Sequence, residues 1–278
     1  VLIAHDIEWV TKAYRLTFDD GSWIEADGQH SWLTWTTQNR RLLARRNDAY
    51  RRRRRARRPS RVGGHKTARF TASLTARNRA HPPPTLPAPK GTLYTTTQIA
   101  ESLRYKGETN HAVSVAAPLA LPHRDLPIDP YVLGVWLGDG TTTVGTITTA
   151  DPEILGQLIS RGESYRVLPS SIRGGNKSAA YCVAGLTTRL RRAGLLGHKH
   201  IPTGYLRASL PQRRALLFGL MDTDGSADGR NGDVEYTTTC RELRDGVAEL
   251  IWSLGHKMTI HEHRAKLNGR DCGPFWRF

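Results

Sequence analysis

The sequence contains little cysteine. Its 278 residues include three cysteines, Cys182, Cys240 and Cys272, and no two of them have the spacing of a CxxC motif. This pattern argues against a disulfide framework and against a cysteine zinc site. We therefore expect three isolated thiols packed as small core residues.

Long hydrophobic runs are also absent from the sequence. No segment approaches the roughly 18 uncharged apolar residues that a membrane-spanning helix requires. The apolar start, Val1 to Ala4, is interrupted at once by His5 and Asp6, which excludes a secretory signal core. The sequence therefore predicts a cytoplasmic protein with no membrane partner.

Acidic residues are the scarcer charge. The chain has 25 Asp+Glu against 41 Lys+Arg, a net charge of +16, and its pI is about 10.3. Residues 40–61 hold twelve arginines and one acid. Mutual repulsion keeps such a block solvated, and its charge suits the phosphates of a nucleic acid. A basic insertion without a specific target is the alternative. The candidate DNA-binding residues in this block are Arg51, Arg52, Arg53, Arg54 and Arg55.

The N-terminal part has the pattern of β structure. Residues 14–18 and 23–26 alternate like strands around a tight turn at Asp20-Gly21. Five prolines in residues 81–89 then mark a boundary, because proline fits neither a helix interior nor a central strand. A short capped helix is predicted over residues 95–104, and a strand over 112–115.

From Asp129 onward, helices alternate with strands, which predicts an α+β fold. Asp129-Pro130 and Asp151-Pro152 each combine an N-cap acceptor with proline at the first helical position. The pattern then repeats. Helices are predicted over 131–137, 152–159, 187–193, 211–221 and 241–254, and strands over 144–149, 181–184 and 234–238.

Two of these helices carry the same motif. Val132-Leu-Gly-Val-Trp-Leu-Gly-Asp-Gly140 and Leu217-Phe-Gly-Leu-Met-Asp-Thr-Asp-Gly225 superpose at an offset of 85 residues. Gly134 falls on Gly219, Gly138 on Thr223, and Asp139 on Asp224. Small residues four positions apart share one helical face and allow two backbones to approach closely. Such packing would place both aspartates at one end of the seam.

The two aspartates are candidate ligands for a metal. Two close carboxylates repel each other unless a cation lies between them, and hard oxygen ligands suit Mg²⁺ or Mn²⁺. A metal held in this way can activate water for phosphodiester hydrolysis. Two unrelated helix ends are the alternative, although two copies in register are hard to reach by chance.

The paired nonapeptides resemble the dodecapeptide (DOD-type) motifs of single-chain LAGLIDADG homing endonucleases over roughly residues 126–263. The resemblance implies two pseudo-symmetric αββαββα-like halves, in a monomer with an internal pseudo-dimer. Their strands would form a saddle on a long, nearly asymmetric double-stranded DNA site, and both strands would be cut. The first motif departs at Leu137-Gly138, where the second has Asp222-Thr223, but both terminal aspartates are retained.

The resemblance also implies roles for individual residues. Asp139 and Asp224 would be the catalytic, metal-binding acids, with Gly138 and Thr223 beside them at the metal site. Gly197-His-Lys-His-Ile-Pro202 matches the family's Lys-x-Ile-Pro block, so Lys199 would supply a cation near the attacking water. A surface lysine that contacts the DNA backbone is the alternative. Lys257, at an expected strand start, is a candidate DNA contact.

The N-terminal segment resembles an intein splicing block. A Thr-x-x-His pattern of that family is replaced here by Asp27-x-x-His30. The histidine would polarise the peptide bond at the upstream splice junction. Splicing also needs a first-residue Cys or Ser and a terminal His-Asn, and the chain has neither. We therefore expect an internal piece of an intein and no splicing by this chain alone.

These observations divide the chain into five expected segments. They are a partial all-β Hint segment (1–38), a basic and proline-rich insertion (39–90), a connecting or DNA-recognition segment (91–125), the endonuclease domain (126–264, halves 126–200 and 201–264) and a return to the Hint domain (265–278). The expected function is site-specific, Mg²⁺-dependent double-strand cleavage in homing. A splicing fragment, a non-cleaving DNA-binding protein and an RNA maturase are the alternatives.

Overall fold

The computed structural model describes residues 12–45, 90–169, 178–227 and 233–278. The chain separates into two compact units, Val1–Ser114 and Val115–Phe278. The proline-rich stretch and most of the basic block, including Arg51 to Arg55, lie outside the described residues. In the described part, no helix is both long and apolar enough for a bilayer.

The first unit begins with the expected hairpin. Strands β1 (Ala13–Thr17) and β2 (Trp23–Asp27) are antiparallel. Asp20 Oδ1 accepts a hydrogen bond from the backbone N–H of Ser22 at 2.9 Å, and Gly21 adopts a positive φ of 84°. The Asp-Gly pair therefore supplies both the acceptor and the left-handed residue that the corner requires.

A second sheet of this unit is built around β3 (Ser31–Thr36). Strands β4 (Thr92–Thr95) and β7 (His111–Val113) pair with its two edges. The other elements are helix α1 (residues 37–45), helix α2 (Thr96–Glu101) and the short pair β5 (Arg104–Tyr105) and β6 (Glu108–Thr109). The structure therefore differs from the expected division, because part of the segment expected to be a connection completes the sheet of β3.

Two arginines of the basic block are bound within the first unit. The guanidinium of Arg40 donates to the backbone carbonyls of Trp35, Thr109 and Asn110. Arg41 forms an exposed ion pair with Glu108 at 3.0 Å. Arg40 thus ties α1 to β3 and to the β6–β7 connection, which the sequence-based assignment of the whole block to phosphate binding did not anticipate.

The second unit contains two stretches, each of which begins with one of the two motif helices. The first holds α3 (Pro130–Asp139), β8 (Thr146–Thr149), α4 (Pro152–Ser160), β9 (Tyr165–Val167), β10 (Ala179–Val183) and α5 (Leu186–Arg192). Its sheet has the order β8-β10-β9, and Gly140 forms an isolated bridge with Ile147 at the β8 edge.

The second stretch follows the short helix α6 (Thr203–Leu206). It holds α7 (Leu210–Asp224), β11 (Gly225–Ala227), β12 (Val234–Thr238), α8 (Arg241–Ser253), β13 (His261–Leu267) and β14 (Arg270–Arg277). Its sheet has the order β11-β12-β14-β13. The expected boundary at residue 264 falls inside β13, and β14 pairs with both β12 and β13. Residues 265–278 therefore continue this sheet, which differs from the expected return to another domain.

Helix α3 lies at the centre of the second unit. Its residues from Tyr131 to Trp136 are completely or almost completely buried. As the sequence predicted, Asp129 caps the helix by accepting from the N–H groups of Tyr131 and Val132. A helix that is apolar on every side must be surrounded by other elements, and α3 and α7 pack against each other within one continuous core.

A buried arginine joins the start of this unit to its helices. Arg213 of α7 is fully buried. Its guanidinium donates to the backbone carbonyls of Ala208, Ser253 and Leu119 and to the hydroxyl of Ser253. Buried polar groups are costly unless they are hydrogen-bonded. Here one side chain satisfies carbonyls from three separate segments, so it fixes the strand-free segment around Leu119 against α7 and α8.

Replacing this arginine should destabilise the fold. We expect Arg213→Leu to lower the free energy of unfolding by about 2–4 kcal/mol, because three carbonyls lose their donor and two of them are buried. Denaturant unfolding followed by circular dichroism measures this change. The adjacent Arg214 is exposed, so Arg214→Leu serves as the matched control and should change stability by less than about 0.5 kcal/mol. Equal losses in both variants would contradict the assignment.

Candidate functional site

The site begins with a glycine contact between α3 and α7. A Cβ added to Gly134 would lie 2.4 Å from the carbonyl oxygen of Leu216, and one added to Gly219 would lie 2.3 Å from that of Tyr131. Each added Cβ would also lie 3.0 Å from the Cα of the other glycine. The backbones therefore touch where the repeated glycines were predicted to meet, and no larger residue fits at either position.

One turn further on, the contact becomes asymmetric. A Cβ on Gly138 would lie 2.0 Å from Thr223 Oγ1 and 3.1 Å from Asp224 Oδ2. The Thr223 hydroxyl donates back into its own helix, to the carbonyl of Leu220 at 2.9 Å. The missing side chain of Gly138 thus makes room for Thr223 and places the Asp224 carboxylate against the last turn of α3.

The two terminal aspartates lie in each other's electrostatic field. Asp139 is partly buried, whereas Asp224 is exposed, with one carboxylate oxygen against the backbone of Gly138. Partial burial raises the pKa of Asp139, and the Lys199 ammonium opposes that shift. Partial burial also raises the pKa of Asp224, the negative charge of Asp139 raises it further, and Lys199 again opposes. The structure therefore brings the two acids and the lysine together at one end of the seam.

Lys199 is fixed at the end of α3. Its Nζ donates to the carbonyls of Leu137 at 2.9 Å and Gly138 at 3.0 Å, and it lies 5.3 Å from the ring centroid of Trp136. Burial lowers the pKa of this ammonium, while Asp224 and Asp139 oppose the shift. A cation at a helix C-terminus compensates the negative end of the helix dipole. The ammonium is therefore an internal group of the site rather than a solvated surface charge.

The donor set fits a hard divalent cation. Among the described residues, no three His, Cys, Asp or Glu side chains gather closely enough to form a protein-only metal cage. Two carboxylates from adjacent helix ends are nevertheless a suitable set for Mg²⁺, which retains several of its waters. Because burial disfavours the ionised forms of Asp139 and Asp224, a cation between them would relieve a cost that Lys199 compensates only in part.

Gly138 and Thr223 lie beside the two aspartates and shape the site without supplying a carboxylate. The carbonyl of Gly138 accepts from Lys199, and the Thr223 hydroxyl donates to α7 carbonyls. Both residues shape the gap in which the carboxylates lie. Their direct contact with a metal stays a prediction.

The residues of the predicted splicing block lie in the first unit. His30 is exposed, and its ring packs edge-on against Trp32 with centroids 4.7 Å apart. Asp27 Oδ1 accepts from the N–H of Gln29, and the carbonyl of His30 accepts from the N–H of Thr96 at the start of α2. The turn is thus well held, but these contacts leave the predicted role of His30 in acyl transfer untested.

Lys257 lies in the connection between α8 and β13, before the strand begins at His261. The expectation that it starts a strand is therefore wrong by a few residues, and its contact with DNA stays a prediction. The five arginines from Arg51 to Arg55 lie outside the described residues.

The sequence did not reveal a polar contact between the first turn of α3 and the last turn of α7. The hydroxyl of Tyr131 donates to Asp222 Oδ2 at 2.8 Å. The only available signal was Asp222 itself, which stands in the second motif where the first has Leu137. Nothing in the local pattern linked this carboxylate to a tyrosine 91 residues earlier.

Comparisons with known proteins agree with part of this picture. Residues 211–273 match the family model of the LAGLIDADG-like domain, so they span most of α7 and end in β14. The chain is 35% identical over 269 residues to the replicative DNA helicase DnaB of Mycobacterium intracellulare. That match covers 96% of this chain but 38% of the relative.

A solved structure of mesophilic variants of the homing endonuclease I-DmoI is also similar to this chain. The TM-score is 0.36 at 14% identity, and the match covers 54% of this chain and 86% of that chain.

The glycine contact predicts a large loss of stability on adding one carbon. We expect Gly134→Ala and Gly219→Ala each to destabilise the protein by about 1–3 kcal/mol or more, because rigid backbone atoms must move apart. In α4, a Cβ on Gly156 would meet nothing within 4 Å. Gly156→Ala is therefore the control and should stabilise by about 0.5–1 kcal/mol. Chemical denaturation measures all three, and unchanged stability in both seam variants would contradict the contact.

The raised pKa of Asp224 predicts a pH-dependent cost. A carboxyl whose pKa is higher in the folded state stabilises the fold when protonated and loses that contribution as the pH rises from about 4 through the folded pKa. In chelator at neutral pH, Asp224→Asn should therefore raise the melting temperature, by about 1–3 °C, and flatten its dependence on pH.

Thermal melts in chelator and in Mg²⁺ check this expectation. Magnesium should stabilise the parent and leave Asp224→Asn unchanged. Asp125 is exposed, so Asp125→Asn controls for a general change in net charge. If Asp224→Asn is less stable than the parent in chelator at neutral pH, the predicted direction of the stability change is wrong.

Proposed function

Because residues 211–273 match the LAGLIDADG-like domain, we propose that this chain is a site-specific endonuclease that hydrolyses phosphodiester bonds of double-stranded DNA in a Mg²⁺-dependent reaction. One observation carries the proposal. Asp139 and Asp224 end two helices that are packed backbone to backbone, and Lys199 lies within the field of both acids. This combination of two carboxylates and a cation is suited to a reaction that develops charge on phosphate oxygens.

Asp139 and Asp224 would hold the metal, Mg²⁺ or Mn²⁺. When bound, the ion would stabilise charge on the phosphate and lower the pKa of water. The outward exposure of Asp224 leaves a path by which a phosphate can reach the end of the seam. The buried flank of Asp139 reduces screening by solvent, which strengthens electrostatic interactions at that point.

Lys199 would act on the phosphate or on the attacking water. Its ammonium is held by two carbonyls of α3, so its position does not depend on substrate. Burial lowers its pKa, which makes loss of a proton from Nζ easier than for a solvated lysine. The side chain can therefore present a fixed positive charge or exchange a proton during the reaction.

The sheets of the second unit would bind the DNA. Exposed cationic side chains lie on β9, β13 and β14. Two of them pair with acids, as Arg264 does with Asp271 at 2.7 Å and Arg277 with Glu235 at 3.9 Å. Phosphates can replace such exposed acidic partners at little cost, because surface ion pairs are weak. The residues are Arg166, Arg264, Lys266, Arg270 and Arg277.

Each of the two stretches begins with a motif helix and forms its own antiparallel sheet, and this supports an internal pseudo-dimer. In the first sheet, the bridge at Gly140 is followed by the strand order β8-β10-β9. In the second sheet, β11 takes the place of the bridge and the order continues as β12-β14-β13. A pseudo-twofold arrangement would let the two sheets follow one long and nearly asymmetric DNA site, with both strands cut at the end of the α3–α7 seam. A monomer would then suffice for double-strand cleavage.

We further infer that the chain is an element inserted into a longer protein, in the manner of an intein that encodes its own homing. The matched relative is a replicative helicase, and this chain spans 38% of its length. The sequence has no GxxxxGK[ST] phosphate-binding motif, so the shared segment lacks that helicase signature. The splicing role of Asp27 and His30 remains part of this inference, and no splicing is assigned to the chain alone.

Cleavage of DNA that spans the uninterrupted insertion site tests the proposal. The parent should convert a supercoiled plasmid carrying that site to linear DNA in Mg²⁺ and leave it intact in chelator. Asp139→Asn and Asp224→Asn should each lose at least about 1000-fold in rate, and Lys199→Met about 100-fold. Asp125→Asn, an exposed acid away from the seam, should cut like the parent.

Two outcomes would replace the proposal with an alternative. Intact DNA with the parent in both Mg²⁺ and Mn²⁺, together with retained binding and a steep salt dependence, indicates a non-cleaving DNA-binding protein. Preferential binding of a folded intron RNA over the DNA site indicates a maturase.

A further inference from the structure

A polar clamp connects the first turn of α3 to the last turn of α7. The hydroxyl of Tyr131 donates to Asp222 Oδ2 at 2.8 Å. Tyr131 is completely buried, and Asp222 is partly buried. Burial and the neighbouring carboxylate raise the pKa of the Tyr131 hydroxyl, so it keeps its proton and remains a donor. A hydrogen bond to a carboxylate in such surroundings is stronger than one between neutral groups.

This clamp exists on one side of the seam only. The offset that aligns the two motifs places Tyr131 on Leu216 and Asp222 on Leu137. The side chains of these two leucines cannot hydrogen-bond to each other, and both are buried. The last turn of α7 is therefore held to its neighbour by a directional bond, whereas the last turn of α3 is held by apolar contacts and by Lys199.

The tyrosine ring is itself fixed from the other side. The guanidinium of Arg161 lies 4.0 Å from the ring centroid, and its Nε lies 3.3 Å from Asp129 Oδ1. Asp129 in turn caps the start of α3. Burial raises the pKa of Asp222, and the hydrogen bond from Tyr131 and the charge of Arg161 both oppose that shift. The clamp therefore runs from the end of α4 through the start of α3 to the end of α7.

The position of Asp222 in α7 links the clamp to the orientation of Asp224. Asp222 lies in the last turn of α7, and Asp224 is the final residue of that helix. Each residue along a helix adds about 1.5 Å of rise and about 100° of rotation. A small slip or rotation of this turn would therefore carry the Asp224 carboxylate away from Asp139.

From these contacts we propose that Tyr131 and Asp222 are positioning residues. Their hydrogen bond fixes the last turn of α7 so that Asp224 faces Asp139, and it thereby sets the affinity of the pair for a divalent cation. The inference rests on the proposed function, since it assumes that the two acids share a metal. It assigns no contact with metal or substrate to either positioning residue.

Binding of Mn²⁺ to the full chain without DNA tests the inference independently of catalysis. Electron paramagnetic resonance counts free Mn²⁺ and gives the dissociation constant. Tyr131→Phe keeps the ring and removes only the donor, and Asp222→Leu copies the first motif. Each change should weaken Mn²⁺ binding by about 10-fold. The double variant should be no weaker than either single one, because both changes break the same bond.

Two further variants separate positioning from folding. Asp222→Asn retains an oxygen acceptor for the tyrosine and should bind Mn²⁺ nearly as the parent does. Leu216→Met changes the buried counterpart of Tyr131 in the other motif, and it should leave Mn²⁺ affinity unchanged. Melting temperatures of all variants, measured in chelator, show how much of any change comes from loss of structure.

The outcomes are distinct from those of the cleavage assay. Parent-like Mn²⁺ affinity in Tyr131→Phe and Asp222→Leu, with only the melting temperature lowered, would overturn the inference. A parent that binds no Mn²⁺ would overturn it as well. A parent that binds Mn²⁺ and leaves target DNA intact would refute the proposed function, while the expected loss of affinity in the two variants would still support the positioning role.

Discussion

The contact between the backbones of α3 and α7 is the constraint on which the rest of the second unit depends. Gly134 and Gly219 leave no space for a side chain, so the helices meet at a distance set by main-chain atoms. Main-chain contacts are rigid, and an error in their spacing cannot be absorbed by a change of rotamer. The ends of both helices, and with them Asp139 and Asp224, are consequently held in a fixed relation.

The placement of two aspartates at adjacent helix ends lowers the stability of the folded protein at that point. Two carboxylates lie near two helix C-termini, where the helix dipoles disfavour negative charge, and burial disfavours their ionised forms. Lys199 compensates part of this cost through its own position at the end of α3. The remaining cost is carried by the surrounding core, in which α3 is buried on all sides. The cost that remains is one that the divalent cation of the proposed function would offset.

The sequence predicted those parts of the structure that depend on local or repeated signals. The Asp-Pro pairs marked the starts of α3 and α4, and the paired motifs located the seam, its glycines and both helix-end acids. Lys199 was predicted through its resemblance to a family motif rather than by spacing. The hairpin of β1 and β2 followed from an Asp-Gly turn between alternating residues.

Features that depend on distant parts of the chain were missed. The pairing of β4 and β7 with β3 joins strands that are separated by the basic and proline-rich segment, and no local pattern shows it. The end of β13 and all of β14, residues 265–278, were expected to return to the Hint domain, because their exposed, charged residues lack the alternation of a half-buried strand. In the sequence, nothing distinguishes Arg213 from a surface arginine, although the structure shows that it is fully buried. The hydrogen bond between Tyr131 and Asp222 likewise forms only when the two helices pack. Comparison of the motifs shows that Asp222 has no acidic counterpart in the first motif, but it does not show the partner of Asp222.

Anomalous diffraction from crystals soaked in Mn²⁺ tests most directly whether Asp139 and Asp224 jointly hold one divalent ion, as we propose. The account predicts an anomalous peak that contacts carboxylate oxygens of both residues, at about 2.1–2.2 Å, with its remaining positions filled by water. The peak should be absent from crystals of Asp224→Asn. No peak at the end of the seam, or a peak bound by only one of the two acids in the parent, would contradict the account.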